Sequence, residues 1–297
     1  MITAFHHPAF EAAGIQVDIK RLDLMHPHAQ GNKFYKLKYN LEKARSLQKD
    51  TLLTFGGPWS NHLHATALAG AEHGFKTIGI VRGEEPKYNC PALKDAKENG
   101  MKLVYISRSE YTERNEQFFK AWLRDTYGSF YLIPEGGSNF LGVQGAGEII
   151  TSADRQMYDL LATPVGTGAT LAGMALNFDK SIWGFPAVKD IESVQSSIES
   201  HLYSSLFDDS LVQETMAKIQ LIEGFSFGGF AKHHQELVDF ITEIKTSHEI
   251  EFDHVYTAKM MLGLIAKAKE IKPRTKVLAI HTGGLQGNRS LKFNAGG

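Results

Sequence analysis

Thr51-Leu52-Leu53-Thr54-Phe55-Gly56-Gly57-Pro58-Trp59-Ser60-Asn61-His62 reads as a strand, a glycine turn and the opening of a helix that continues from Leu63 to His73. In an open parallel sheet, the loop leaving the carboxyl end of a strand is where ligands bind. Ser60 or Asn61 would cap the helix and leave its first amides facing an anion, so a carboxylate or phenolate would fit there. The plainer reading of the same residues is a structural turn followed by a helix cap.

Working outward, apolar runs at 77–81, 102–106 and 130–133 repeat the pattern, separated by helical stretches with Gly or Pro punctuation. A second series has strands near 159–163, 182–185, 220–222 and 277–280. Alternation of this kind predicts α/β architecture with parallel sheets in two units. No Pro/Ser-rich tether marks a boundary, as expected if the chain crosses between tightly packed domains more than once. The Ser-rich, acidic segment 188–211 reads as surface helix or loop.

The 297 residues hold 32 basic and 33 acidic side chains, a balance with no broad attraction to nucleic acid or anionic lipid. Cys90 is the single cysteine, and the start, Met-Ile-Thr-Ala-Phe, lacks a secretory pattern, so the expected location is the cytoplasm. The uncharged stretch 160–178 is long enough to span a bilayer, but Pro164, Gly166, Gly168 and Gly173 interrupt it, and strand, turn and helix explain it better.

Three further clusters carry chemistry. In Gln30-Gly31-Asn32-Lys33-Phe34-Tyr35-Lys36-Leu37, a helix running to about Leu47 places Phe34, Leu37, Leu41 and Ala44 on one face. Lys33 lies nearest the centre of that face, which makes it the lysine expected to be desolvated and prepared as a neutral amine for Schiff-base chemistry. A lysine that snorkels to solvent is the alternative. Val165-Gly166-Thr167-Gly168-Ala169-Thr170 joins a strand to a helix and reads as a phosphate cradle; Leu171 stands where a dinucleotide fingerprint needs its third glycine. His281-Thr282-Gly283-Gly284 ends a late strand, with Thr282 placed to meet a ligand ring. His62 and His64 point about 200° apart on a helix and cannot share a metal ion, and His6-His7 and His233-His234 read as chance pairs, so no metal is expected.

Taken in order, GNKxxKL, GGxxSNH, GTGAT and HTGG resemble the aminocyclopropane-carboxylate deaminase and D-cysteine desulfhydrase family, from about Leu22 to Gly284. The resemblance implies the tryptophan synthase β-like fold of pyridoxal-phosphate enzymes (fold type II): two open twisted parallel-sheet α/β domains, a small one at 45–145 and a large cofactor-binding one from 1–44 plus 146–297. It implies Lys33 as the covalent anchor of pyridoxal 5'-phosphate, Asn61 on its ring hydroxyl, and Gly166, Thr167, Gly168, Ala169 and Thr170 around its phosphate. Ser60 would contact the substrate carboxylate or help move a proton, with Asn61, His62 and Asn139 as further substrate contacts. Tyr256 would lie beside the cofactor. A homodimer and a small amino-acid substrate are implied as well.

Two departures bear on the reaction. The deaminases carry Glu where Thr257 stands; Thr257 and Thr282 offer only hydroxyls near the pyridine nitrogen, as in the desulfhydrases. Both subfamilies also place a second tyrosine near the position of Phe227. The expected reaction is therefore β-elimination of the D-cysteine desulfhydrase kind, with ring-opening deamination of 1-aminocyclopropane-1-carboxylate second. Gly224-Phe225-Ser226-Phe227-Gly228, followed by Asp253 and His281, offers a serine-hydrolase alternative. Phe227 admits a cofactor binder without turnover.

Overall fold

The computed structural model describes residues 1–25, 31–87, 89–232 and 234–291; Gln30 of the lysine cluster and His233 lie outside them. In chain order its strands are β1 (Ile2–Ala4), β2 (Gln16–Arg21), β3 (Thr51–Gly56), β4 (Lys76–Arg82), β5 (Met101–Ile106), β6 (Tyr131–Ile133), β7 (Leu160–Val165), β8 (Ser181–Pro186), β9 (Ile219–Leu221) and β10 (Lys276–His281). The helices are α1 (Pro8–Ala13), α2 (Asn32–Ser46), α3 (Asn61–His73), α4 (Pro91–Glu98), α5 (Arg108–Thr112), α6 (Gln117–Tyr127), α7 (Phe140–Gly147), α8 (Ser152–Met157), α9 (Ala169–Leu176), α10 (Ile191–Leu206), α11 (Asp209–Met216), α12 (Gln235–His248) and α13 (Thr257–Ala266).

Strands covered on both faces are predominantly apolar, and in β3 and β7 every residue is buried. They lie inside two sheets, a four-stranded one in the order β5-β4-β3-β6 and a six-stranded one in the order β1-β2-β10-β7-β8-β9. All ladders run parallel except β1 with β2, so the large sheet is not purely parallel.

The sequence reading missed β1 and β2. In β2, Asp18 and Lys20 break the apolar run, and each finds its partner far along the chain: Lys20 pairs with Asp154, and Asp18 accepts from the Tyr158 hydroxyl at 2.7 Å. Only the folded chain brings these partners together.

Successive residues of the large sheet feed opposite cores. Val17, Ile19, Trp183, Phe185, Val277 and Ala279 meet α12 and α13 on one face. Leu161, Ile182, Leu278 and Ile280 meet α7, α9 and α10 on the other. The segment expected as surface, 188–211, contains α10, which buries Val194, Ile198 and Leu202. The uncharged stretch 160–178 divides into β7, a turn and α9, and no helix among the described residues is long and apolar enough to cross a membrane.

Helix α2 lies between the two units. Tyr35 joins the core under the large sheet, whereas Leu37, Leu41 and Ala44 pack with Leu52, Ala65 and Ile133 of the small one.

Candidate active site

Both sheets reverse strand order once, and such switch points leave a crevice outside the carboxyl ends of the strands. In the small sheet the reversal separates β3 from β6; in the large sheet it separates β7 from β10. The loops leaving these four strands carry GGPWSNH, EGGSN, GTGAT and TGG, and residues of all four line one cavity of about 570 Å³ together with the start of α2. That volume suits a small organic ligand.

Gly31 fixes how α2 enters. Its φ of +72° lies in the region open to glycine, and a Cβ there would sit 1.9 Å from the Thr282 carbonyl oxygen. The Asn32 amide donates to that same carbonyl at 3.1 Å, tying the start of α2 to the end of β10. Asn32 then bridges the site: its Nδ2 donates to Thr170 Oγ1 at 2.9 Å, and its Oδ1 accepts from Lys33 Nζ at 3.0 Å. The sequence reading passed over Asn32, although it stands inside the GNK motif.

Two lysines, not one, face the cavity. Burial lowers the Lys33 amine to about 8, against the pull of the Asp253 carboxylate. Lys36 is the more enclosed, 1 % exposed, and burial followed by the nearby Lys33 charge pushes its amine well below the ordinary lysine value. The expectation that Lys33 would be the most desolvated lysine is thus corrected. That expectation assumed one buried face, whereas α2 has two buried flanks, and Lys36 falls on the bisector between Tyr35 and Leu37. Lys36 Nζ has no hydrogen-bond or ion-pair partner among the described residues. With the protein empty, trapping of a small neutral aldehyde on Lys33 by borohydride should quicken about tenfold per pH unit up to about 8 and then level. A profile mapped to residue 33 that still climbs at pH 10 would contradict this.

The glycine loop is held from outside by α10. Ser197 Oγ and His201 Nε2 both donate to the Thr167 carbonyl, at 2.9 and 3.1 Å, and Ser138 Oγ donates to the Thr167 hydroxyl. With that carbonyl held outward, the loop amides and the α9 terminus are left for an anion on the cavity side. Gly166, Thr167, Gly168 and Thr170 line the cavity, whereas Ala169 does not.

At the opposite wall Ser60 caps α3, its Oγ accepting from Leu63 N at 3.2 Å, and Ser60, Asn61 and His62 line the cavity. Thr54 donates its hydroxyl to the Ile133 carbonyl at 2.8 Å, so it accepts from His62 Nε2 at 2.8 Å. His62 is therefore held as a neutral ring, with burial and the two lysines keeping it well below the usual histidine range. Its Nδ1 is buried without a hydrogen-bond partner among the described residues. His64 turns away to Asp95, 3.0 Å off, and no cluster suited to a metal occurs among the described residues.

Tyr256 lines the cavity between the glycine loop and Phe230, its ring 3.2 Å from where a Cβ on Gly166 would lie. Burial, and secondarily the carboxylates of Asp253 and Glu135, raise its phenol, so it stays protonated. Thr282 also lines the cavity. Thr257 does not: its hydroxyl donates to Asp253 Oδ1 at 2.6 Å, and Asp253 in turn accepts from the amides of Val255, Tyr256 and Thr257. Thr257 therefore shapes the start of α13.

Asn139 is likewise outside the lining, because its Oδ1 caps α7 through Gly142 N at 2.8 Å and its Nδ2 donates to Asn40 at 2.7 Å. Asn139→Ala should cost about 1 to 2 kcal/mol of unfolding free energy and leave ligand affinity within twofold, read by thermal unfolding and ligand titration. Phe227 packs against the large core, and the cavity aromatic on that loop is Phe230.

The serine-hydrolase constellation is not assembled. His281 donates from Nε2 to the Glu251 carbonyl at 2.8 Å and accepts at Nδ1 from Gly283 N, so both ring nitrogens are engaged away from Ser226.

Comparison with known proteins places this architecture. The model of the "Pyridoxal-phosphate dependent enzyme" family matches residues 4–283. A Thermotoga maritima protein, named provisionally as a 1-aminocyclopropane-1-carboxylate deaminase, is 31% identical over 93% of this chain and 91% of its own. The mitochondrial bifunctional D-cysteine desulfhydrase/1-aminocyclopropane-1-carboxylate deaminase of Arabidopsis thaliana is 27% identical over 92% of this chain and 73% of its own. A crystal structure of an ACC deaminase homologue superposes with a TM-score of 0.77 at 27% identity, covering 99% of this chain and 93% of the other.

Proposed function

The chain belongs to the pyridoxal-phosphate dependent enzyme family, and from that premise we propose that it eliminates a β-substituent from a small amino acid, as a D-cysteine desulfhydrase does. For cysteine the balance is one amino acid and one water giving pyruvate, ammonia and hydrogen sulfide. The observation that carries the reading is the pairing, in one cavity, of a lysine amine lowered to about 8 with a glycine-rich helix start.

The donor set fits the cofactor. Lys36 is a buried amine with no counter-ion among the described residues, the glycine loop offers amides with the Thr167 and Thr170 hydroxyls beside them, and the start of α3 offers a second anion site. We assign Lys33 as the covalent anchor, Lys36 with Gly166–Thr170 to the phosphate, Asn61 to the ring hydroxyl, and Thr282 to the pyridine edge. Once bound, the group delocalises charge from the substrate α-carbon. Lys33 Nζ takes the α-proton, Ser60 and the first amides of α3 hold the α-carboxylate, and the protonated Tyr256 donates toward the departing β-substituent. His62, held as a neutral ring through Thr54, lines this end of the cavity.

Ring-opening deamination of 1-aminocyclopropane-1-carboxylate is the second reading, supported by the names of the relatives above. The domain division at 45–145 against 1–44 plus 146–297, a homodimer and a cytoplasmic location belong to the same proposal.

The deciding experiment adds pyridoxal phosphate to the purified protein and follows visible absorption before and after borohydride. A yellow band fixed by reduction onto the peptide carrying Lys33 supports the reading. D-Cysteine, L-cysteine and the cyclopropane substrate are then compared for sulfide, ammonia and 2-oxo acid release. No band at saturating cofactor ends the proposal.

A further inference from the structure

The segment 285–290, Leu-Gln-Gly-Asn-Arg-Ser, follows the last glycine turn and reaches across to the small-sheet helices. Arg289 Nη2 donates to Asp95 Oδ2 of α4 at 2.6 Å, and His64 Nε2 lies 3.0 Å from the same oxygen. The same guanidinium nitrogen faces Gln286 Oε1 at 3.4 Å. A guanidinium only donates, so Gln286 must present its oxygen there. The other branch of the Gln286 amide, Nε2, lies 3.2 Å from the Trp59 carbonyl, which only accepts. The orientation of Gln286 is thus set from both sides.

Gln286 Nε2 also lies 2.5 Å from Asn61, and a donor there requires that Asn61 turn Oδ1 toward it. The remaining branch of Asn61, Nδ2, then sits over Gly284: a Cβ on that glycine would be 2.6 Å from it, and Gly284 has a φ of +89°. Asn61 and Gly284 both line the cavity.

We infer that Gln286, oriented by Arg289, is a positioning residue that turns Asn61 so that its N–H faces the cavity, making that wall a donor to an oxyanion on the ring of the bound group. The inference rests on the function proposed above. Donation to the ionised ring hydroxyl favours its charged form, so the relay from Asp95 through Arg289 and Gln286 tunes ionisation at a ring that neither Arg289 nor Asp95 needs to touch.

Pyridoxine 5'-phosphate provides the probe, because it carries the ring hydroxyl and phosphate but no aldehyde to bond a lysine. Its hydroxyl ionisation is read by ultraviolet absorption across pH, and its affinity by fluorescence titration. In Gln286→Glu no donor faces Asn61 Oδ1; Asn61 must reverse to donate to the new carboxylate and present its oxygen to the ring. The bound probe should then ionise at least about one pH unit higher than in wild type and bind about tenfold more weakly at neutral pH. Gln286→Met, which imposes no orientation, should shift ionisation in the same direction by less.

A purely structural role would lower the melting temperature of either variant and leave the ionisation pH of the bound probe unmoved. Wild-type ionisation and affinity in both variants, or in Gln286→Met alone should Gln286→Glu fail to fold, would overturn the inference. Failure of the wild type both to bind the probe and to fix pyridoxal phosphate under borohydride would instead remove the function proposed above, and the inference with it.

Discussion

Lys33→Ala should leave no borohydride-fixed cofactor on the protein, with far-ultraviolet circular dichroism unchanged and turnover down by about 10³-fold or more. The size follows from two losses. The side chain is both the covalent anchor and the base at the substrate α-carbon, and a positioned base alone contributes roughly 10² to 10⁴. The fold survives because, among the described residues, Lys33 makes one hydrogen bond, to Asn32, and belongs to none of the hydrophobic clusters. Label retained at wild-type level would refute the assignment. If it mapped to Lys36, the two lysines would exchange roles, since Lys36 is the more strongly depressed amine. Their surroundings favour the assignment made above: Lys33 feels the charge of Asp253, whose carboxylate holds the Tyr256 amide, whereas Lys36 is felt by His201, which holds the glycine loop.

Lys36→Met should move two measurements in opposite directions. In the empty protein the amine is largely withdrawn from solvent with no partner among the described residues, which costs roughly 1 to 3 kcal/mol. A methionine of similar length should therefore raise the melting temperature by about 2 to 6 °C. With pyridoxal phosphate the sign reverses, because a charge-assisted bond of roughly 1.5 to 3 kcal/mol to the phosphate is lost. Affinity should fall about 10- to 100-fold. The pH dependence supplies a check. Burial lowers the folded-state value, so between that value and the ordinary lysine value near 10.5 the unfolded chain binds the extra proton, and stability of the empty protein rises with pH across that window. Lys36→Met should flatten the rise in part, leaving the share that Lys33 contributes above about 8. Equal melting temperatures and equal affinities in variant and wild type would show that Lys36 meets neither solvent loss nor phosphate.

The two-sheet α/β architecture was legible because strands such as 51–56 and 160–165, covered on both faces, are predominantly apolar, and that pattern is written locally. The four loops were legible for a related reason. A carboxyl-end turn needs glycine and a helix start needs a capping side chain, and both requirements fall within a few residues of the strand. Strand β2 escaped because its charged side chains are paired or hydrogen-bonded by Asp154 and Tyr158, more than a hundred residues away.

The sequence by itself determined the kind of site: an amine near glycine-rich anion cradles, on loops that an α/β sheet directs to one edge. Only the tertiary structure decided the duty of each side chain. Asn139 turned to cap α7 and Thr257 to bond Asp253, Phe230 took the cavity place considered for Phe227, and Lys36 became the deeper lysine because α2 is buried on two flanks. Asn61 received its orientation from Gln286, 225 residues along the chain. The physical reason is common to all of these. Local chemistry determines which groups a segment can present, but burial and the direction of a hydrogen bond depend on partners that only the folded chain supplies.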